Sequence, residues 1–249
     1  MNESMTLLTR GNPKVLKGEA QGYLTFILHL APSDVSGYNT CAAATKGCRF
    51  ACLNTAGRGG IPNSHTTLVR TRHGEVAVPN KIQAARIRKT MWFFEDRAGF
   101  MTQLLKEIRA GIKYALKHNL IPVFRLNGTS DIRWESIGVE GAPNIMSLFP
   151  DVQFYDYTKL ANRKDLPSNY KLTFSLAEDN EVQAWAALTL GINVAVVFKG
   201  TLPQAFMGRK VINGDESDLR FLDPMGVVVG LKAKGKAKRD TTGFVRVAA

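Results

Sequence analysis

All the sulfur nucleophiles of this 249-residue chain lie in one stretch: Cys41, Cys48 and Cys52, with six and then three residues between them. An odd number of cysteines leaves one unpaired in any intrachain disulfide scheme. Three converging thiolates suit a soft metal centre. They could hold three irons of a 4Fe-4S cubane and leave the fourth iron open to a substrate or cofactor, and a three-iron cluster is also chemically possible. Zinc would need a fourth partner or water, with His29 and His65 as the nearby candidates. Ordinary reduced thiols are the plain alternative. Phe50, Leu53 and Ile61 could shield a cluster from water, or equally be ordinary loop packing. Gly47 is expected to relieve a tight turn. Gly57, Gly59 and Gly60, with Arg58, could bring backbone N–H groups and charge to an anion, or form a simple flexible turn. Neither a Walker pattern nor a dinucleotide fingerprint is present.

The next stretch rich in chemistry is RLNGTSDIRWE, residues 125–135. Arg125 is costly to bury unpaired, so it is expected at a rim, facing a carboxylate or phosphate. Asn127, Thr129, Ser130 and Asp131 could orient a polar substrate, and Glu135 an amine or ribose. An Asx-type turn with Trp134 packed on the sheet accounts for the same residues without a ligand. Asp156 lies on the opposite side of its strand from Tyr155 and Tyr157; a substrate contact and a loop-organising acceptor both remain open for it. Ser175 closes a further strand. The acids Asp215, Glu216, Asp218 and Asp223 could bind a hard cation, while pairing of an acid with Arg220 is the sober alternative.

These residues need elements to hold them. Residues 22–30 read as a buried strand. Residues 31–78 lack regular periodicity, apart from a short possible strand at 66–70, and a loop that long calls for a reason such as a bound centre. Asn80 is expected to cap a helix over 81–95, with Gln83 at the capping-box position. A second helix spans 100–118, its stripe formed by Leu104, Leu105, Ile108, Ile112, Ala115 and Leu116, with His118 favourable at its end. Strands follow at 121–128, 152–157, 170–175, 192–198, 210–213 and 226–231, and a helix at 180–190 with Asp179 as its cap. Buried strands alternating with helices predict an α/β fold with a mostly parallel sheet, either a partial or complete barrel or an open doubly wound sheet. His29, Asn127, Asp131, Asp156, Ser175 and Asp215 fall near carboxyl ends of strands, where sites gather in such folds. One domain over residues 1–249 is expected, with the cysteine loop at 31–78 and a basic segment at 231–249.

With 33 Lys and Arg against 21 Asp and Glu, the formal charge is +12, which attracts phosphates. Nucleic acid or another polyanion is one expected partner, and a small anionic molecule is another. Arg86, Arg88 and Lys89 with Trp92 and Phe93 could track a nucleic-acid backbone, or be surface charges over buried aromatics. The alternating lysines of LKAKGKAKR could lie along one face of an extended edge. No apolar run is long enough for a bilayer and no leader is evident at the start, so a cytoplasmic protein with no membrane partner is expected.

The order strand, cysteine loop, helix, strand resembles the opening of the radical S-adenosylmethionine enzymes, whose three cysteines are spaced by three and two residues. That resemblance implies a four-iron cluster whose open iron binds S-adenosylmethionine inside a partial barrel. Segments 41–59, 85–90, 94–97, 125–135 and 213–224 resemble more closely a bacteriophage protein family, over most of the chain. Membership there implies a phage-encoded protein of the host cytoplasm and no particular activity. Three functions are therefore expected to compete. The first is an iron–sulfur enzyme using Arg125, Asn127, Asp131 and Asp156 at its substrate mouth, with His29, Arg58, Ser130, Glu135 and Ser175 holding cofactor. The second is a nucleic-acid-binding protein with a structural iron–sulfur or zinc centre. The third is a module that binds a host protein.

Overall fold

The computed structural model describes residues 5–10 and 17–247. Parts of the expected N-terminal arm and the last two residues of the basic segment lie outside these. The expected strands form in order. β1 (Leu8–Thr9) pairs antiparallel with β2 (Tyr23–Leu28). A parallel series continues from β2 through β5 (Ile121–Arg125), β6 (Gln153–Thr158), β7 (Tyr170–Ser175), β8 (Val194–Lys199) and β11 (Val228–Lys232) to β10 (Arg209–Asn213). The two-residue β9 (Ala205–Phe206) closes that edge antiparallel, and β12 (Val245–Val247) runs parallel to β8. Spatial order follows chain order from β2 to β11, as in a winding barrel, without the central reversal of a doubly wound sheet.

Curvature follows from side chains on one face. Ile27, Arg125, Tyr157, Ser175, Val197 and Leu231 come from six successive strands and all line one cavity. A flat sheet could not bring them together, so the sheet curls into a barrel-like wall. The curl is eased at β8. Strand β7 pairs only with Val194 and Ala195 of β8, and β12 takes over the same edge from Val197 to Lys199.

Helices cover the convex face. α1 (Lys46–Phe50) is a single turn in the cysteine loop. α2 (Lys81–Glu95) starts at Asn80, whose side chain accepts from the N–H groups of Ile82 and Gln83. The Gln83 amide does not close a capping box; it donates to the Gly59 carbonyl and ties the helix to the glycine turn. α3 (Arg97–Lys117) buries Leu104, Leu105 and Ile108 against Phe26 and Phe124. The expected stripe is narrower than its pattern, because Leu116 is 62% exposed. α4 (Ile145–Leu148) is short, and α5 (Glu181–Thr189) covers β7 and β8. The α5 cap is Asn180 instead of Asp179, and its side chain accepts from the Ala177 N–H instead of the helix. The loop 31–78 also holds a hairpin, β3 (Thr67–Thr71) with β4 (Gly74–Val78), packed on α2.

Candidate functional site

The cysteine segment is tied into the body by hydrogen bonds. Thr45 caps α1 by accepting from the Cys48 N–H at 3.1 Å. Glu178, just beyond β7, accepts from the Thr45 hydroxyl at 2.7 Å and from the Gly47 N–H at 2.6 Å. Gly47 is not a turn residue. It sits in α1, where a β-carbon would lie 2.1 Å from Thr242 Oγ1 and 2.6 Å from Phe244 Cβ. Its missing side chain lets the segment before β12 pass directly beneath the helix. Gly59 and Gly60 likewise lack room for a side chain, because they press on the carbonyls of Asn54 and Thr55. Close packing accounts for Gly59 and Gly60, and a left-handed backbone (φ +55°) with open space around it for Gly57.

Cys41, Cys48 and Cys52 are all free thiols, and all three line the cavity of about 630 Å³ at the carboxyl ends of the strands. Burial pushes the Cys41 and Cys52 thiols up, Cys52 to about 11, and the charge of the neighbouring cysteines acts in the same direction. The Asn54 N–H donates to Cys52 Sγ at 3.5 Å. Arg86 lines the same cavity and bonds to the side chain and carbonyl of Asn54. Burial lowers the Arg86 pKa, with the Cys52 charge opposing that shift. Among the described residues no group of three or more His, Cys, Asp or Glu forms a metal-holding cluster. The sulfurs line the same cavity without a preformed cage. Phe50, Leu53 and Ile61 do not shield them, being 42%, 59% and 62% exposed.

β5 and its following turn supply more of the lining, and the Cys41 thiol reaches the Thr129 carbonyl of that turn at 3.8 Å. Arg125 is buried and paired with Asp218 at 2.6 Å, with the faces of Tyr155 and Tyr157 close by. Asn127 organises the turn: its side-chain oxygen accepts from Ser130 Oγ, the Ile132 N–H and Trp134 Nε1, and its amide donates to the Ile132 carbonyl. Gly128 crosses so near β2 that a β-carbon would lie 2.7 Å from both Ile27 and His29. Asp131 accepts from the Lys159 N–H at 2.8 Å, and burial raises its pKa. His29 is held neutral, its pKa lowered to about 3 by burial and then by Arg86, Arg125 and Lys89.

The cavity therefore gathers His29, the three cysteines, Arg125, Asn127, Ser130, Asp131 and Ser175. Arg58, Glu135 and Asp156 do not line it. Arg58 is exposed on the glycine turn. Glu135 is engaged by Arg163, which also reaches Asp131 and the Tyr170 hydroxyl. Asp156 is fully buried on the helix-facing side and accepts from the Leu126 and Asn127 N–H groups and from Tyr170. Its role is to hold the end of β5 in place. The α2 face is not a nucleic-acid track, since Lys89 is buried on the Leu7 carbonyl and Arg86 turns inward. The lysines of residues 232–239 end β11 and enter a tight turn; they do not lie along an extended edge. From the sequence Glu178 is only a weak member of a polar set with Ser175 and Asp179 after β7; its structural partners lie 131 and 133 residues away. Its contact with the cysteine helix has no local signal.

A barrel-like, mostly parallel sheet with a thiol-lined cavity at the carboxyl ends of its strands defines the structural class. The chain belongs to the bacteriophage family described as Gene product 88, whose pattern matches residues 6–248. No curated protein and no solved structure matches the chain. No helix among the described residues is long and apolar enough to cross a membrane.

Proposed function

We propose that the protein is an iron–sulfur protein of radical S-adenosylmethionine type, in which Cys41, Cys48 and Cys52 hold a 4Fe-4S cluster and the cavity receives a polar or anionic substrate. The carrying observation is that all three thiols, unpaired and from one segment, line the same cavity as Arg125, Asn127 and Asp131. The donor set is the right one in number and softness. The fit requires the three side chains to turn toward one another, because they form no cage in the described arrangement.

A cluster with three thiolate ligands keeps one iron open, and S-adenosylmethionine bound there would supply reductively initiated radical chemistry. The chain's own contribution is positioning and charge. Arg86 places a buried positive charge beside Cys52, which favours thiolate and the net negative charge of a three-thiolate site. The Asn54 N–H to Cys52 Sγ acts in the same sense. Glu178 holds α1, and with it Cys48, against the sheet. Beside Cys41, Asp131 and the polar turn around Asn127 and Ser130 offer hydrogen-bonding groups to a substrate.

The test is anaerobic purification and reconstitution, with iron and acid-labile sulfide measured per chain. About four of each are expected, falling below about one in each single Cys→Ala variant. Electron paramagnetic resonance of the reduced sample should shift on adding S-adenosylmethionine. A reconstituted wild-type chain with neither iron nor sulfide overturns the reading, and about one zinc per chain replaces it with a zinc centre.

A further inference from the structure

The rim of the cavity carries a charge distribution that the three cysteines do not account for. Residues 232–239 hold Lys232, Lys234, Lys236, Lys238 and Arg239 with no acid among them. This is not a loose tail. Lys232 ends β11 at the carboxyl rim, Gly235–Arg239 forms a tight turn, and Ala237 lines the cavity. Gly235 leans on the cysteine segment, so close that a β-carbon would meet Ala56 at 3.3 Å. The basic run thus starts on the opening at Lys232 and Lys234 and continues through the exposed Lys236, Lys238 and Arg239, while Arg49 and Lys159 also line the cavity.

Little of this charge is neutralised strongly. Lys234–Asp215 and Arg49–Asp34 are half-exposed pairs, the kind that contribute little and yield readily to a competing anion. The Lys159 ammonium lies over the Phe244 ring. A second, independent feature adjoins the same opening: Leu53 lines it and is 59% exposed, and Phe50, 42% exposed, sits between Arg49 and Ala51, which both line it. Exposed aromatic surface interleaved with cations is how proteins bind single-stranded nucleic acid, with phosphates tracked by charge and bases stacked. The cavity volume of about 630 Å³ falls in the range that encloses a small ligand. Proteins that act on a base inside such a recess take it unpaired.

We propose that the substrate of this cavity is single-stranded nucleic acid, its phosphates lying on the 232–239 run and Arg49, one base stacked at Phe50 or turned inward. This rests on the cavity being the reacting site, as proposed above. The test is fluorescence anisotropy with a labelled strand of about twelve nucleotides, DNA and RNA, over a salt series. Binding should weaken steeply between about 50 and 200 mM salt, each phosphate contact adding about −0.7 to the log–log slope. The triple variant K236A/K238A/R239A should reduce the slope magnitude by about two and weaken binding at least about tenfold at low salt. Phe50→Ala should weaken binding and leave the slope unchanged. Circular dichroism and Tm confirm that these surface variants fold. No strand binding at low salt, binding unmoved by the triple variant, equal affinity for duplex, or equal competition by a mononucleotide each overturns the proposal. Iron measured on the same samples separates the two readings. Iron without strand binding removes only this inference, and strand binding retained in an iron-free Cys48→Ser chain supports it.

Discussion

Two buried ionisable residues set opposing pH responses. Asp156 is raised from 3.8 to about 7 by burial, against the pull of Arg125 and the Asn127 N–H. Its folded form binds protons more tightly than its unfolded form, so its stabilising contribution is full below about pH 4 and is lost as pH rises through about 7. His29 is lowered from 6.5 to about 3. Its contribution is full above about pH 6.5 and is lost as pH falls toward about 3. The two slopes, each up to about 1.4 kcal/mol per pH unit, offset each other in the shared window. Urea unfolding across that window should show stability that rises with pH in Asp156→Asn and falls with pH in His29→Gln, relative to the parent. Arg125 and Asp218 offer a second test. Removing one partner, as in Asp218→Asn, should cost about 3–5 kcal/mol, whereas replacing both with apolar residues should cost far less. Equal losses would mean that the pair is not desolvated as its geometry implies.

At the scale of elements, the cysteine segment depends on contacts distant in sequence. Glu178→Gln removes the charge from two hydrogen bonds to Thr45 and Gly47. It should cost about 1–3 kcal/mol and speed amide hydrogen exchange at Gly47 and Cys48 while α3 is unchanged. Gly47→Ala should be worse, because the new methyl meets Thr242 and Phe244 at less than contact distance. The long elements were legible in the sequence: the apolar run 22–30 gave β2, and Asn80 marked the start of α2. What escaped had no periodic signature. β4 is exposed along most of its length, so GEVAV shows no buried face. α1 is one turn long. The cavity roster was half legible, since the polar groups ending β2, β5 and β7 do face it. Asp156 showed its opposite facing through the period of two, yet which face was concave is set by the curl of the sheet. The exposure of Leu53 and Ile61 could not be read either, because an apolar side chain in a loop carries no sign of which way the loop folds.

At the scale of the whole molecule, the sheet is completed by a strand from near the end of the described chain. β12 fills the edge that β7 leaves on β8, and it brings the buried Phe244 and Val245 against the cysteine helix. A chain stopped before Phe244 loses both side chains, each worth about 1.5–3 kcal/mol, and uncovers the β8 edge. Its chemical denaturation midpoint should fall, and its thiols should react faster with a maleimide reagent than those of the parent. The same connection imposes an order of events on the ribosome. The thiol-bearing turn is synthesised well before the segment around Phe244 that it rests on. Until that segment has been made, the three sulfurs of a nascent chain have no Phe244 and Val245 over them.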